Sequence, residues 1–88
     1  MNIQKPIIVY GTQTCPKCDD VVSHFDSWGV RYEQRDIFAF QGALEDILMR
    51  VGYTFHLPIV RHGAKIVMGH QMDRIIELLR SAGYLIDV

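Results

Sequence analysis

Both cysteines of this 88-residue chain stand in one four-residue word, Cys15-Pro16-Lys17-Cys18. Two cysteines placed at random in such a chain fall three apart in roughly 2 of 100 cases, so the spacing is itself a signal. Its position adds to that signal. The word follows a continuous apolar run, Pro6 to Tyr10, and a polar loop, Gly11-Thr12-Gln13-Thr14, and it opens a helical pattern. A thiol at the first turn of a helix meets unpaired backbone N–H groups and the positive end of the helix dipole, both of which favour a thiolate. The feature points to a strand, a loop and a helix arranged for thiol–disulfide exchange.

The rest of the chain fits around that unit. An unbroken apolar run suits a strand buried on both faces. From Pro16 onward, Cys18, Val21, Val22, Phe25 and Trp28 recur at helical steps, with Phe25 and Trp28 expected in the core. Proline suits a first helical position, and Gly29 a left-handed stop. Val30 to Ile37 alternates as a second strand. Leu44, Ile47, Leu48 and Val51 form one face of a second helix ending at Gly52. Pro58–Arg61 and Lys65–Met68 are short strands joined by a hairpin at His62-Gly63-Ala64, with Arg61 and Lys65 expected as solvated charges. Met72, Ile75, Ile76, Leu79 and Ala82 mark a last helix before Gly83, and an apolar tail, Tyr84 to Val88, follows. The order is β-α-β-α-β-β-α: a parallel crossover, an antiparallel hairpin and a closing helix.

Composition narrows the function. The length predicts a single domain over residues 1–88. Nine basic against ten acidic side chains, a net charge of −1, argue against a nucleic-acid surface. No apolar run reaches membrane-spanning length, and the segment Met1 to Pro6 has no signal-peptide core, so a cytoplasmic protein is expected. In a reducing compartment a cysteine pair is catalytic or metal-binding more often than a structural staple. A closed zinc site wants four ligands. His24, His56, His62 and His70 are scattered without ligand spacing, so no metal and no organic cofactor is expected. The alternative is a binding module that holds a metal or a shared iron–sulfur cluster through Cys15.

Disulfide exchange needs an attacking thiolate and a second thiol to resolve the mixed disulfide. Cys15, before the helix, is the candidate attacker. Cys18, one turn along on the same side, is the candidate resolver. Lys17 places a positive charge beside the thiolate, while Asp19 and Asp20 oppose it. The Cys15 thiol is therefore expected below its ordinary range, but less so than in a strongly basic site.

Three local words resemble the glutaredoxin family. Tyr10-Gly11-Thr12-Gln13-Thr14-Cys15-Pro16-Lys17-Cys18 is similar to its strand, loop and dithiol. His56-Leu57-Pro58 stands where the family has Thr-Val-Pro. Gly69-His70-Gln71-Met72-Asp73 stands where it has a Gly-Gly turn and an acidic helix start. The resemblance covers nearly the whole chain. It implies an α/β thioredoxin-like fold in the small glutaredoxin form, with a four-stranded mixed sheet, and a monomeric thiol–disulfide oxidoreductase. It implies a cis Leu57–Pro58 bond facing the dithiol, with Lys17, Leu57 and Pro58 against substrate. It makes Thr14, His56, His70 and Asp73 candidate tuning or glutathione-side positions; by themselves, His56 suits a surface or packing histidine, His70 a turn and Asp73 a helix-start charge. Relatives that use glutathione commonly carry tyrosine where Lys17 stands, lysine where Thr12 stands and glycine where His70 stands. The chain is also similar to the glutaredoxin-like redoxins that supply electrons to ribonucleotide reductase. The expected partners are a disulfide-containing protein and an electron donor: glutathione or, better matched to these substitutions, a thioredoxin-reductase-like enzyme.

Overall fold

The computed structural model describes residues 5–87. The leader residues Met1 to Gln4 and the last tail residue, Val88, lie outside the described residues. The elements are β1 (Ile7–Gly11), α1 (Pro16–Trp28), β2 (Tyr32–Asp36), α2 (Ala43–Val51), β3 (Ile59–His62), β4 (Lys65–Met68) and α3 (Met72–Ser81). The strands form one mixed sheet in the order β2-β1-β3-β4. β1 pairs parallel with β2 and antiparallel with β3, and β3 and β4 form the hairpin. Gly63 takes the positive φ of 62° that the short hairpin turn demands. No helix among the described residues is long and apolar enough to cross a membrane.

β1 explains the layering. Its first four residues are all buried, because helices cover both faces of the sheet. Ile7 and Val9 join Val21 and Phe25 of α1, Val60 of β3 and Ile75, Leu78 and Leu79 of α3 in one core cluster. Ile8 and Tyr10, pointing the other way, join Ala43 and Ile47 of α2, together with Ile37 and Ile59, in the second. The period of two along a strand thus divides one apolar run between two cores. In α3 the buried residues are Ile75, Leu78 and Leu79. Leu78 was not among the positions the sequence periodicity selects, while Met72 and Ile76 pack only at the margin. Trp28 is likewise marginal and stands 5.2 Å from the His24 ring, whereas Phe25 is fully buried. The second strand starts at Tyr32; Val30 is instead buried in the turn that follows α1, its N–H donating to the Phe25 carbonyl at 2.9 Å.

Arg61 departs from the expectation of a solvated charge. Its side chain is only 15% exposed. Its Nε donates to the Tyr10 hydroxyl at 3.1 Å and its Nη1 to the Gly63 carbonyl at 2.9 Å. The Tyr10 hydroxyl in turn donates to Asp46 of α2, which also accepts from Arg50 at 2.8 Å. This network ties α2 to β1 and β3. Burial, helped by the Asp46 carboxylate, raises the Tyr10 hydroxyl above its ordinary range, against the opposing effect of Arg61. For Asp46, burial alone would raise the carboxyl; the hydrogen bonds from Tyr10 and Arg50 and the charges of Arg50 and Arg61 outweigh it and hold the carboxyl low.

The tail docks on the first core. Tyr84 and Ile86 are buried in it, and Leu85 between them is 99% exposed. Three bonds fix this path. The Tyr84 N–H donates to the Leu79 carbonyl, the Arg31 N–H to the Tyr84 hydroxyl, and Arg80 to the Ile86 carbonyl. The tail therefore alternates: Tyr84 and Ile86 go in, while Leu85 and Asp87 stay out.

Two stability predictions follow from these contacts. Ile86→Ala should cost about 2–5 kcal/mol in urea unfolding, as for other large-to-small core changes, while Leu85→Ala should stay within about 0.5 kcal/mol. Asp46→Asn should cost about 1.5–3 kcal/mol at pH 7, the range for hydrogen bonds to a charged group. Because the folded carboxyl titrates lower than the unfolded one, its stabilisation is present above the ordinary carboxylate range and fades as pH falls through the folded value. The gap between wild type and Asp46→Asn in unfolding free energy should therefore narrow toward pH 3.

Candidate active site

The loop after β1 delivers Cys15 to the N-cap of α1. Its backbone is extended (φ −124°, ψ 97°) and Pro16 occupies the first helical turn. The Cys15 carbonyl accepts the first helical bond, from the Asp19 N–H at 3.1 Å. Its Sγ accepts from the Cys18 N–H at 3.2 Å, in the manner of a capping side chain. Sulfur here replaces the oxygen of a usual cap, so the helix start that needs an acceptor also stabilises negative charge on Cys15. Cys18 lies one turn on. The two cysteines sit in disulfide geometry with Cα atoms 5.2 Å apart, within the range a disulfide spans.

The two sulfurs differ in access. Cys15 is half-buried and Cys18 is 3% exposed. Cys18 is pressed against the end of β1: a Cβ placed on Gly11 would come within 2.8 Å of its Sγ. Glycine at position 11 is therefore required for close approach rather than for a special backbone angle. The sequence alone made Gly11 only part of a polar loop.

The other predicted residues separate into two groups. The first is at the dithiol end of the sheet. Lys17 is exposed on the first turn of α1. The Leu57–Pro58 bond is cis, as the family resemblance implied. Tyr10 pairs with Ile59 across the antiparallel ladder, so buried Pro58 lies at the same end of the sheet as Gly11. The Pro58 carbonyl accepts from the Gly69 N–H at 2.8 Å. Thr14 is exposed and borders a cleft of about 430 Å³ with Thr12, Gln13, Asp36, Phe38 and Ala39. Phe38 is 80% exposed there, and the sequence reading passed over it because one aromatic in a loop has no periodic context.

The second group lies around the α3 turn. Exposed His56 lines a cleft of about 490 Å³ with Arg50, Val51, Met68, Gln71 and Arg74 among its walls, and its Cβ adjoins Gly69. That cleft contains no residue of the dithiol loop. His70 does more than fill a turn: its Nε2 lies 2.7 Å from the Asp20 carboxylate and ties the turn to α1. Asp20 faces His24 as well, at 3.7 Å. Asp73 is an exposed charge in the first turn of α3. Among the described residues, no group of three or more histidine, cysteine or acidic side chains is arranged to hold a metal ion.

Comparison with known proteins agrees with this geometry. The glutaredoxin family model matches residues 7–63, more than half of the chain. A point mutant of the thioredoxin-like protein BC3987 is 28% identical, with a TM-score of 0.76 over 88% of this chain and 97% of that one. The glutaredoxin grx-1 from Archaeoglobus fulgidus is 27% identical, with a TM-score of 0.74 over 88% of each chain. The glutaredoxin-like NrdH-redoxin from Escherichia coli shares the fold at 23% identity, with a TM-score of 0.72 over 84% of this chain and 95% of that one. Sequence comparison with curated proteins gives no match. A cysteine pair at the strand-to-helix turn, a cis proline at the same end of a β2-β1-β3-β4 sheet and the matched family model together show that the chain belongs to the glutaredoxin family, a thioredoxin-fold redoxin.

Proposed function

We propose that this protein reduces disulfides of partner proteins through Cys15 and Cys18, in the cytoplasm, as a thiol–disulfide oxidoreductase. The observation that carries the reading is the unequal exposure of two sulfurs held in bonding geometry at a helix start. The accessible Cys15 thiolate attacks a substrate sulfur, and one substrate thiolate leaves. Cys18, sheltered and one turn away, then attacks Cys15 and releases the second thiol. The protein departs as the disulfide and is reduced again by an electron donor. Only a sulfur that outside molecules can reach serves the first step, and only one within bonding distance of Cys15 serves the second.

Lys17 supplies a positive charge at the rim. The backbone of Leu57, at the dithiol end of the sheet, is the proposed strand-like partner of an extended substrate segment. A protein disulfide suits this arrangement, and ribonucleotide reductase is the candidate target that the family likeness supplies. For re-reduction, a thioredoxin-reductase-like enzyme fits better than glutathione. His70 occupies the turn where glutathione-using relatives have glycine, and its ring is engaged with Asp20. Each lost charge-assisted hydrogen bond to a small anionic tripeptide forfeits about 1.5–3 kcal/mol. Two such losses weaken binding by about two to four powers of ten.

Cys15→Ser should abolish turnover, while Cys18→Ser should accumulate a mixed disulfide with substrate, visible by mass spectrometry of the intact protein. The reverse pattern of adducts would exchange the two roles. Gly11→Ala should push Cys18 from its seat, destabilise the fold by about 1–3 kcal/mol and slow disulfide closure more than the first attack. In a coupled NADPH assay, thioredoxin reductase should sustain turnover and millimolar glutathione with its reductase should not. Efficient turnover from glutathione alone would overturn the choice of donor.

A further inference from the structure

The sheet register brings an unassigned acid to the sheltered cysteine. Gly11 and Asp36 are direct partners across the parallel β1–β2 ladder, and partners in a ladder project to the same face. For Gly11 that face is the α1 side, because its missing Cβ would point at Cys18 Sγ from 2.8 Å. Four residues earlier in β2, Tyr32 confirms the side: its ring lies 5.8 Å from Phe25 of α1. Asp36 therefore projects beside the place where Cys18 Sγ rests. A cleft of about 230 Å³ opens there, with Gly11, Cys18, Asp19, Gln34 and Asp36 in its walls. Cys18 is hidden from the face that Cys15 presents, yet this second opening borders on it.

The carboxylate is held in place. One oxygen of Asp36 accepts from the Phe38 N–H at 2.8 Å, and Asp36 lines the cleft. The charges around it are Asp19 from α1 and Arg35 from β2. Asp19 adds negative charge beside Cys18. Arg35 is engaged elsewhere, with Glu33 and over the Phe40 ring at 4.7 Å. A thiol flanked by two carboxylates keeps its proton more firmly than a free thiol. Without an acceptor it would be a poor nucleophile at neutral pH.

We propose that Asp36 accepts the Cys18 proton when Cys18 resolves the mixed disulfide. The inference rests on the dithiol mechanism proposed above. In the mixed disulfide, Cys15 Sγ is bonded to a substrate sulfur and Cys18 is a thiol. Cys18 Sγ forms its bond to Cys15 Sγ while the Cys18 proton passes to the Asp36 carboxylate. The bond from Cys15 Sγ to the substrate sulfur breaks, and its electron pair leaves with the substrate as a thiolate. The cysteine pair ends oxidised and the substrate sulfur reduced. Asp36 then returns its proton to water through the cleft. General-base transfer of this kind contributes about 10²–10⁴-fold where it operates.

The test separates the two steps. Reduced protein is mixed in a stopped-flow instrument with dithiobis(nitrobenzoate), which releases one coloured thiolate when Cys15 attacks and a second when Cys18 resolves. Asp36→Asn keeps an amide oxygen for the Phe38 N–H and so preserves the turn. It should leave the first phase unchanged and slow the second at least tenfold at pH 6.5. Its second phase should rise about tenfold per pH unit, following the thiolate fraction of Cys18, and meet wild type near pH 9. Wild type should show a flatter profile. An Asp36→Asn second phase equal to wild type at every pH overturns the proposal and leaves the dithiol reading intact. Loss of the first phase as well also overturns it, because Asp36 would then act through the fold. Wild type that releases only one thiolate would refute the dithiol reading itself.

Discussion

The contact between Gly11 and Cys18 fixes the site to the fold. β1 is buried on both faces, so its position in the sheet has no freedom. Its last residue has no side chain, and the vacancy is filled by the Cys18 sulfur. The first turn of α1 is therefore pressed onto the end of the most constrained strand in the molecule. Cys15, at the cap, inherits that placement. Any residue larger than glycine would lift the helix start and with it the spacing of the dithiol. The chemistry depends on this contact because disulfide exchange requires three sulfurs nearly in line, and only a rigid seat for one of them keeps the other two in order.

The same seat makes the two cysteines unequal. They are three residues apart and chemically identical in the unfolded chain. Folding puts one at a helix cap, with a backbone N–H donating to its sulfur, and the other under the helix beside carboxylates. Cap and dipole favour charge on Cys15, while burial and acidic neighbours disfavour it on Cys18. Lys17 and the acidic residues Asp19 and Asp20 share the same helical turn without cancelling. Asp19, two residues from Lys17, faces another side of the helix, and Asp20 is occupied by His70 from the α3 turn.

Much of this was legible in the sequence, for identifiable reasons. Cys15-Pro16-Lys17-Cys18 is a local word, and its strand-to-helix setting depends only on neighbours. Gly29, Gly52 and Gly83 end their helices where the periodic pattern stops. The cis bond at Pro58 came from the family likeness, since the local sequence gives no reason for it. What escaped is non-local. Arg61 looked like a hairpin charge because its partners, Tyr10 and Asp46, lie 51 and 15 positions away in the chain. His70 looked like a turn residue because Asp20 is 50 positions distant. Leu78 lies between two positions of the expected stripe, and a wider apolar face than the narrowest repeat is needed where a helix packs against both sheet and tail. The register that places Asp36 beside Gly11 is also a property of the assembled sheet. Alternation along Tyr32–Asp36 is polar on both faces, so the sequence did not declare which side would be covered.

The exposed edge of that strand shows why polarity was retained there. β2 is an outer strand, and its Glu33, Gln34, Arg35 and Asp36 are charged or polar. Charges on an edge strand discourage pairing with another chain. At the far edge, β4 carries Ile66, Val67 and Met68 with one charge, Lys65, so protection against such pairing is distributed unequally. The polar edge is the one beside the dithiol. The residues that discourage strand addition also place Asp36 in the wall of the cleft at Cys18.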